Sequence, residues 1–214
     1  LLPSLSSIQE NKNVLIETTR TTLKITALIT IPLFFGLALL AKPLIYVLLT
    51  AKWEIAIPIM QIFCLARLIT ILVGVSSNLL YAVGRTDLTL KQEYIKIAIR
   101  LTLLILALPY GIFWIAVAEL GSTAIHFFIN TYYPGKLFNY GAFPQLKDLS
   151  KIIFAGCFMS ILGYIGTLLI NSYLYQLFII TPLCAIIYIS TIHLLRVKEY
   201  ILLKSKLLTI KKNQ

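Results

Sequence analysis

The sequence is dominated by apolar runs that are long enough to cross a lipid bilayer. A spanning helix needs roughly 20 mostly apolar residues to cross about 30 Å of hydrocarbon. Six segments have that length, and they comprise residues 25–49, 56–83, 88–108, 113–132, 152–170 and 174–195. Because uninterrupted apolar runs do not fit the alternating pattern of a membrane β-barrel, we expect helices. The predicted fold class is all-α, a polytopic transmembrane bundle of six spans.

Composition and charge agree with a membrane protein. The chain is 59% hydrophobic and only 13% charged, whereas soluble domains are about 45–50% apolar and about 25% charged. A net charge of +11 would favour nucleic-acid binding in a soluble basic module. Here the lysines and arginines lie mainly between apolar runs, so they indicate membrane topology, and no nucleic-acid partner is expected. The isolated Cys64, Cys157 and Cys184 suggest neither disulfides nor a zinc site.

Polar segments divide the chain into five parts. Residues 1–24 are partly amphipathic and are predicted to form a helix that lies at the membrane interface and runs into the membrane. Residues 25–133 hold four spans, 134–151 form a loop punctuated by Pro and Gly, 152–195 hold two spans, and 196–214 form a basic tail. Tight-turn signals at residues 109–111 and 171–173 predict two antiparallel hairpins. The chain begins with Leu1 and has no signal-peptide architecture, so we expect a C-terminal fragment or a chain trimmed at its front.

The positive charges predict how the bundle is oriented. With six spans, both ends and the even-numbered loops lie on one side of the membrane. That side collects Lys12, Arg20, Lys24, Arg85, Lys91, Lys136, Lys147, Lys151 and the basic residues from Arg196 onward. The other side collects only Lys42 and Lys52. The positive-inside rule then predicts that both ends are cytoplasmic.

Five polar residues within the apolar runs are candidates for a functional site. Arg67 lies about 16 Å into the second run, and Asn78 falls on the same helical stripe. An arginine at this depth usually faces a bundle interior or a watery cavity. It could therefore line a cavity, or it could be paired statically with a neighbouring helix. Arg100, in the third run, is the second deep arginine, whereas Lys96 has room to reach the headgroups.

Glu119 and His126 are seven residues apart in the fourth run, on one helical face. A carboxylate and an imidazole at membrane depth could form a proton relay. They could equally neutralise Arg67 or Arg100 in a static polar core. No phosphate-binding loop, metalloprotease motif or other catalytic pattern stands out, so neither an enzymatic activity nor a cofactor is expected.

Several short motifs carry a resemblance to a known family. The opening Leu1-Leu2-Pro3-Ser4-Leu5-Ser6, then Ile31-Pro32 with Gly36-Leu37, then residues 39–45 resemble polysaccharide flippases of the Wzx type. Ala51-Lys52-Trp53 and the turn Gly84-Arg85-Thr86-Asp87 are similar to the lipopolysaccharide (O-antigen) and teichuronic-acid exporter branch. Both groups belong to the multidrug/oligosaccharidyl-lipid/polysaccharide exporter superfamily. The resemblance rests on residues from position 1 to about 133. For the remainder of the chain it rests on the number of helices alone.

The resemblance implies a fold, a substrate and partners. Proteins of this family have fourteen helices, which form two lobes of six helices each and two extra helices. The six spans of this chain would correspond to the last six of the fourteen. They move undecaprenyl-pyrophosphate-linked oligosaccharide from the cytoplasmic to the outer leaflet of the bacterial cytoplasmic (inner) membrane. Arg67 and Arg100 would meet the pyrophosphate. The expected partners are the lipid-linked oligosaccharide, membrane lipids and the missing N-terminal lobe, without which the chain should not transport.

Besides a purely structural membrane subunit, two other functions remain open from the sequence. One is a cation-coupled drug exporter of the same superfamily, which the basic residues of the proposed cavity disfavour because cationic drugs prefer acidic sites. The other is a membrane enzyme of envelope polysaccharide assembly. Such an enzyme would need a large outward loop, and the outward loops here are only a few residues long.

Overall fold

The structure, a computed structural model, describes residues 12–201, and those residues form helices and short turns without a β-strand. The helices are α1 (Lys12–Leu39), α2 (Ala41–Leu48), α3 (Ala56–Ala82), α4 (Thr86–Ala107), α5 (Ile112–Phe138), α6 (Ala142–Leu169) and α7 (Tyr173–Leu194). Short 3₁₀ turns at Ala51–Trp53 and Leu108–Tyr110 precede α3 and α5.

Five of these helices, α1, α3, α5, α6 and α7, are long and apolar enough to cross a membrane. The chain is therefore an all-helical, multi-pass membrane protein. The prediction of a sixth span falls on α4, whose 22 residues would extend about 33 Å. This helix carries Lys91, Glu93, Lys96 and Arg100 within its sequence, so it is less apolar than the other five.

The long helices pack side by side in the order α4, α5, α3, α1, α6, α7. Both predicted hairpins are confirmed as packed pairs, α4 with α5 and α6 with α7. The first hairpin closes at Gly111, whose φ of 93° lies in the left-handed region that glycine adopts readily. On α6, Gly156 and Gly163 lie against Ile31 and Leu39 of α1. A Cβ atom added to Gly156 would lie 2.5 Å from the Ile31 side chain, and one added to Gly163 would lie 2.5 Å from the Leu39 side chain. Small residues thus bring α6 against α1.

Two prolines explain where helices depart from regular geometry. The predicted span 25–49 is divided at Leu40, because Pro43 has no N–H to donate to the carbonyl of Leu39. In α7, Pro182 likewise cannot donate to Phe178, and the segment Gln176–Ile180 is π-helical. The Gln176 side chain donates to the carbonyls of Thr167 and Ile170, at 3.0 and 2.6 Å. It thereby joins the end of α6 to the start of α7.

One predicted segment is wrong. Residues 134–151 were expected to form a loop, but α5 continues to Phe138 and α6 begins at Ala142. The connection is short because Gly135 and Gly141 allow the two backbones to meet, and a Cβ on Gly135 would lie 3.1 Å from the Cα of Gly141. Residues 12–24 belong to α1 and continue directly into the first span, as expected of a helix that runs into the membrane, and their location at the interface stays a prediction. Residues 1–11 and 202–214, which include most of the predicted basic tail, lie outside the described residues.

The two ends of the bundle differ in charge and in aromatic content. At the end where α1 begins and α7 ends, called the basic end here, lie Lys12, Arg20, Lys24, Arg85, Lys91, Lys136, Lys147, Lys151, Arg196 and Lys198. The opposite end has Lys42 and Lys52, together with Trp53, Tyr110, Trp114, Tyr173 and Tyr175. Lys42 Nζ lies 5.8 and 5.9 Å from the ring centres of Tyr46 and Tyr173, which links α2 to α7. Tyrosine and tryptophan at a helix end are typical of a membrane–water interface.

Candidate functional site

Arg67 lies on an exposed stripe of α3. Arg67, Thr70 and Gly74 are exposed, and Asn78, one turn further on, is half-buried. The buried residues of α3 include Leu68, Leu72, Val75 and Leu79, on the faces packed against α1 and α5. The apolar residues of α3 thus supply most of two packing faces, and the exposed third face carries Arg67 and Thr70.

No carboxylate of residues 12–201 lies within ion-pair distance of Arg67. The alternative in which Glu119 neutralises Arg67 is not the observed pairing. A guanidinium about 16 Å from the start of a spanning helix cannot be left against lipid tails without a large free-energy cost. This exposed stripe therefore requires water, an anion or further protein beside it.

Glu119 pairs instead with Arg100. Arg100 Nη2 lies 2.8 Å from Glu119 Oε1, and this contact joins α4 to α5. The Arg100 side chain is 54% exposed, whereas Glu119 is only 15% exposed. Both residues lie about 10 Å from the 3₁₀ turn that connects the two helices. The pair is therefore open on the arginine side, and part of the guanidinium is free to meet another group.

His126 belongs to a separate polar network nearer the basic end. Its Nε2 lies 3.1 Å from the carbonyl oxygen of Lys96, and its own carbonyl accepts a hydrogen bond from the Asn130 amide at 2.9 Å. Asn130 Oδ1 accepts from Lys96 Nζ at 3.2 Å and from Ser77 Oγ at 3.3 Å. This network ties α3, α4 and α5 together. The structure gives no direct contact between the side chains of His126 and Glu119 in the described chain, so the two do not form a continuous relay.

Two features of this network were not predicted from the sequence. Lys96 also pairs with Glu93, and its side chain is only 11% exposed, so it turns into the bundle and does not extend to the headgroups. Asn130 is 1% exposed and was not singled out, although an amide within an apolar run is the kind of signal that marks a buried polar contact. Within residues 12–201, no three His, Cys, Asp or Glu side chains cluster as metal ligands.

A second polar cluster lies at the basic end. Arg20 Nε lies 2.7 Å from Asp148 Oδ2, and Lys24 Nζ lies 3.6 Å from Asp148 and 3.1 Å from Glu199. The Tyr140 hydroxyl donates to Asp148 at 3.1 Å. Tyr140 is almost fully buried, and burial, reinforced by the Asp148 charge, raises the pKa of its hydroxyl. We term Arg20, Lys24, Tyr140, Asp148 and Glu199 the ion-pair lock, since they connect α1, α6 and the segment after α7.

An apolar cavity of about 390 Å³ lies between α1, α3, α5 and α6. Its walls include Ile31 and Phe35 of α1, Leu68 of α3, Phe127 of α5 and Leu149 of α6. None of the five predicted site residues lines this cavity. The structure therefore separates the apolar cavity from the charged groups on α3, α4 and α5.

Comparison with known proteins relates the chain to polysaccharide synthesis. The family described as "Polysaccharide biosynthesis protein" matches residues 1–58. A protein from Klebsiella pneumoniae described as "Uncharacterized membrane protein in cps region" is 29% identical over 99 residues. That alignment covers 46% of this chain and 20% of the relative, so the matched part spans about a fifth of the relative's length. No solved structure matches. Arg67, Asn78, Arg100, Glu119 and His126 all lie beyond the family match.

Proposed function

We propose that this chain is the C-terminal part of a flippase that moves lipid-linked oligosaccharide across the bacterial inner membrane. Similarity to proteins of polysaccharide biosynthesis supports the process. The observation that carries the transport step is Arg67, an unpaired cation on the exposed stripe of a membrane-spanning helix within the described chain. Transport is proposed in preference to catalysis, because an exposed intramembrane cation suits a charged substrate that passes through.

The chemistry of the substrate fits the exposed arginines. A pyrophosphate-linked oligosaccharide carries an anionic headgroup that must cross about 30 Å of hydrocarbon. Arginine keeps its charge and binds phosphate oxygens in a bidentate manner. Arg67 would supply positive charge at one depth in the membrane. Arg100 would supply it at a second depth once its side chain turns away from Glu119. The exposed stripe of α3 would then line a watery passage, whose other wall comes from the part of the longer protein outside this chain.

The flippase proposal includes a sixth span and an orientation. Helix α4 packs along α5 and reaches the opposite end beside Tyr110 and Trp114, which supports its crossing the membrane despite its charges. The excess of lysine and arginine at the basic end supports a cytoplasmic location for that end.

Cysteine labelling distinguishes six spans from five. Lys52 and Tyr110 are both exposed at the opposite end. In a cysteine-free background, Lys52→Cys and Tyr110→Cys should react with a membrane-impermeant maleimide added outside intact cells. Lys147→Cys, at the basic end, should react only after the cells are opened. If Tyr110→Cys also needs opened cells while Lys52→Cys does not, α4 does not span and the six-span arrangement is wrong.

The proposed function itself is tested by reconstitution. The longer protein that contains this chain should move a fluorescent lipid-linked oligosaccharide between leaflets of proteoliposomes faster than protein-free vesicles do. The 214-residue chain alone should not accelerate the movement, because it supplies only one wall of the passage. Translocation by the longer protein at the protein-free rate would contradict the flippase assignment.

A further inference from the structure

Four exposed cations gather at one corner of the basic end. Lys147 and Lys151 lie one helical turn apart on α6, and Arg196 and Lys198 follow α7 directly. The two pairs are adjacent, because Lys151 Nζ lies 3.3 Å from the carbonyl oxygen of Leu195, the residue before Arg196. We call Lys147, Lys151, Arg196 and Lys198 the α6–α7 cation corner. All four side chains are exposed.

The acidic residues beside this corner are already engaged elsewhere. Asp148 and Glu199, the sequence neighbours of Lys147 and Lys198, pair with Arg20 and Lys24 in the ion-pair lock. The lock turns both carboxylates toward α1, and Glu199 is 9% exposed. The corner therefore presents four positive charges outward, and no other carboxylate of residues 12–201 pairs with them. A cluster of this kind attracts an anion.

Helix lengths set the depth of the corner. α6 has 28 residues and extends about 42 Å, roughly 12 Å more than the hydrocarbon layer. Lys151 lies about 27 Å from the end of α6 at Leu169, so Lys151 falls at the hydrocarbon boundary and Lys147 about 6 Å beyond it. α7, with 22 residues, extends about 33 Å, which brings Arg196 just past the same boundary. All four cations therefore lie at the level of the lipid phosphates.

Apolar side chains just inside the membrane from the corner face outward. Phe154, about one turn after Lys151 on α6, is 59% exposed, and Leu194, just before the Arg196 turn, is 81% exposed. Exposed apolar groups next to cations at a helix end suit contact with acyl chains below and phosphates above. The corner thus has its cations on the headgroup side and its apolar side chains on the hydrocarbon side, in the order that a phospholipid presents its phosphate and acyl chains.

From this arrangement we propose that the α6–α7 cation corner binds the headgroup of an anionic phospholipid in the leaflet at the basic end. The phosphate accepts hydrogen bonds from Lys147, Lys151, Arg196 and Lys198, and the upper part of an acyl chain contacts Phe154 and Leu194. Basic pockets between transmembrane helices bind anionic lipid headgroups in this way. The site is distinct from the Arg67 stripe and does not depend on the flippase proposal.

The test compares two variants with the same change in charge at the same end of the bundle. The corner variant changes Lys147, Lys151, Arg196 and Lys198 to glutamine. The control variant changes Lys12, Arg85, Lys91 and Lys136, exposed cations of α1, the α3–α4 turn, α4 and α5, to glutamine. Each variant loses three lysines and one arginine. Both variants are purified in detergent, where a change in membrane orientation cannot affect lipid binding. Each must give a single symmetrical peak on gel filtration, which shows that it is folded.

Native mass spectrometry with phosphatidylglycerol and phosphatidylcholine of the same acyl chains gives the readout. The unmodified chain should retain phosphatidylglycerol at least tenfold better than phosphatidylcholine. The corner variant should lose most of that preference, whereas the control variant should keep it. Equal losses in the two variants would overturn the site, as would the absence of a preference in the unmodified chain. If inorganic phosphate alone displaces the phosphatidylglycerol at equal concentration, the corner is a free-anion site and the lipid assignment is wrong.

Discussion

Changing Arg67 to glutamine in the longer protein is expected to slow oligosaccharide translocation about 10- to 100-fold. Hydrogen bonds to charged groups contribute about 1.5–3 kcal/mol, and about 1.4 kcal/mol corresponds to a factor of ten in rate. Arg67 has no carboxylate partner among residues 12–201. Its removal therefore breaks no ion pair of the described fold, and the loss should appear in transport. The rate is measured in proteoliposomes with a fluorescent lipid-linked oligosaccharide.

The matched control for Arg67→Gln is Arg85→Gln. Arg85 is exposed in the turn before α4, and among residues 12–201 its carboxylate partner is Asp87, at 3.1 Å. An exposed pair of this kind contributes little to stability, and the turn lies at the basic end, away from the Arg67 stripe. Arg85→Gln should therefore keep the parental rate. Equal translocation by Arg67→Gln and the parent, at equal amounts of folded protein, would remove Arg67 from the passage.

A lysine at position 67 distinguishes charge from geometry. Lysine keeps the positive charge, but it lacks the planar fork that binds two phosphate oxygens at once. Arg67→Lys should therefore restore part of the rate lost in Arg67→Gln, and it should remain below the parent. Full rescue would show that Arg67 acts as a simple charge, in which case a bidentate contact with phosphate is not required.

The membrane spans were the most predictable part of the fold. A lipid bilayer requires long apolar helices, and this requirement does not depend on which other helices they pack against. The limits of prediction appear at residues 134–151. Proline and glycine there suggested a loop, yet Pro134 is accommodated in the last turns of α5, and Gly141 allows the backbone to double back at once. A single sequence cannot distinguish glycines that loosen a chain from glycines that permit a close backbone approach.

The site residues illustrate the same limit. The sequence placed Arg67, Arg100 and Glu119 at membrane depth, and helical spacing put Glu119 and His126 on one face. Which arginine meets Glu119 depends on the packing of α4 along α5, and that is a tertiary property. The ion-pair lock was not predicted for a similar reason. Arg20, Asp148 and Glu199 are far apart in sequence, and hydropathy contains no information about their proximity.

The second large effect is expected from the ion-pair lock. Asp148 is the common partner of Arg20, Lys24 and Tyr140, and its side chain is 19% exposed. Asp148→Asn removes the charge with almost no change in shape, and it leaves two cations and a buried hydroxyl with weaker partners. Breaking a buried ion pair by removing one partner costs about 3–5 kcal/mol, whereas an exposed pair contributes about 1 kcal/mol or less. The lock is partly exposed, so a loss of about 2 kcal/mol is expected.

Thermal unfolding of the purified chain in detergent measures this loss, with Asp87→Asn as the control. Asp87 is also a carboxylate near the basic end, but it is exposed, and among residues 12–201 its ion-pair partner is Arg85, so Asp87→Asn should shift the midpoint much less than Asp148→Asn. Tyr140→Phe should give an intermediate shift, because it removes one hydrogen bond and keeps the buried ring. Since the lock joins α1 and α6 to the segment after α7, its loss should also make that segment more open to protease. Equal midpoints for Asp148→Asn and Asp87→Asn would mean that the ion-pair lock adds no measurable stability beyond the apolar packing of α1 against α6.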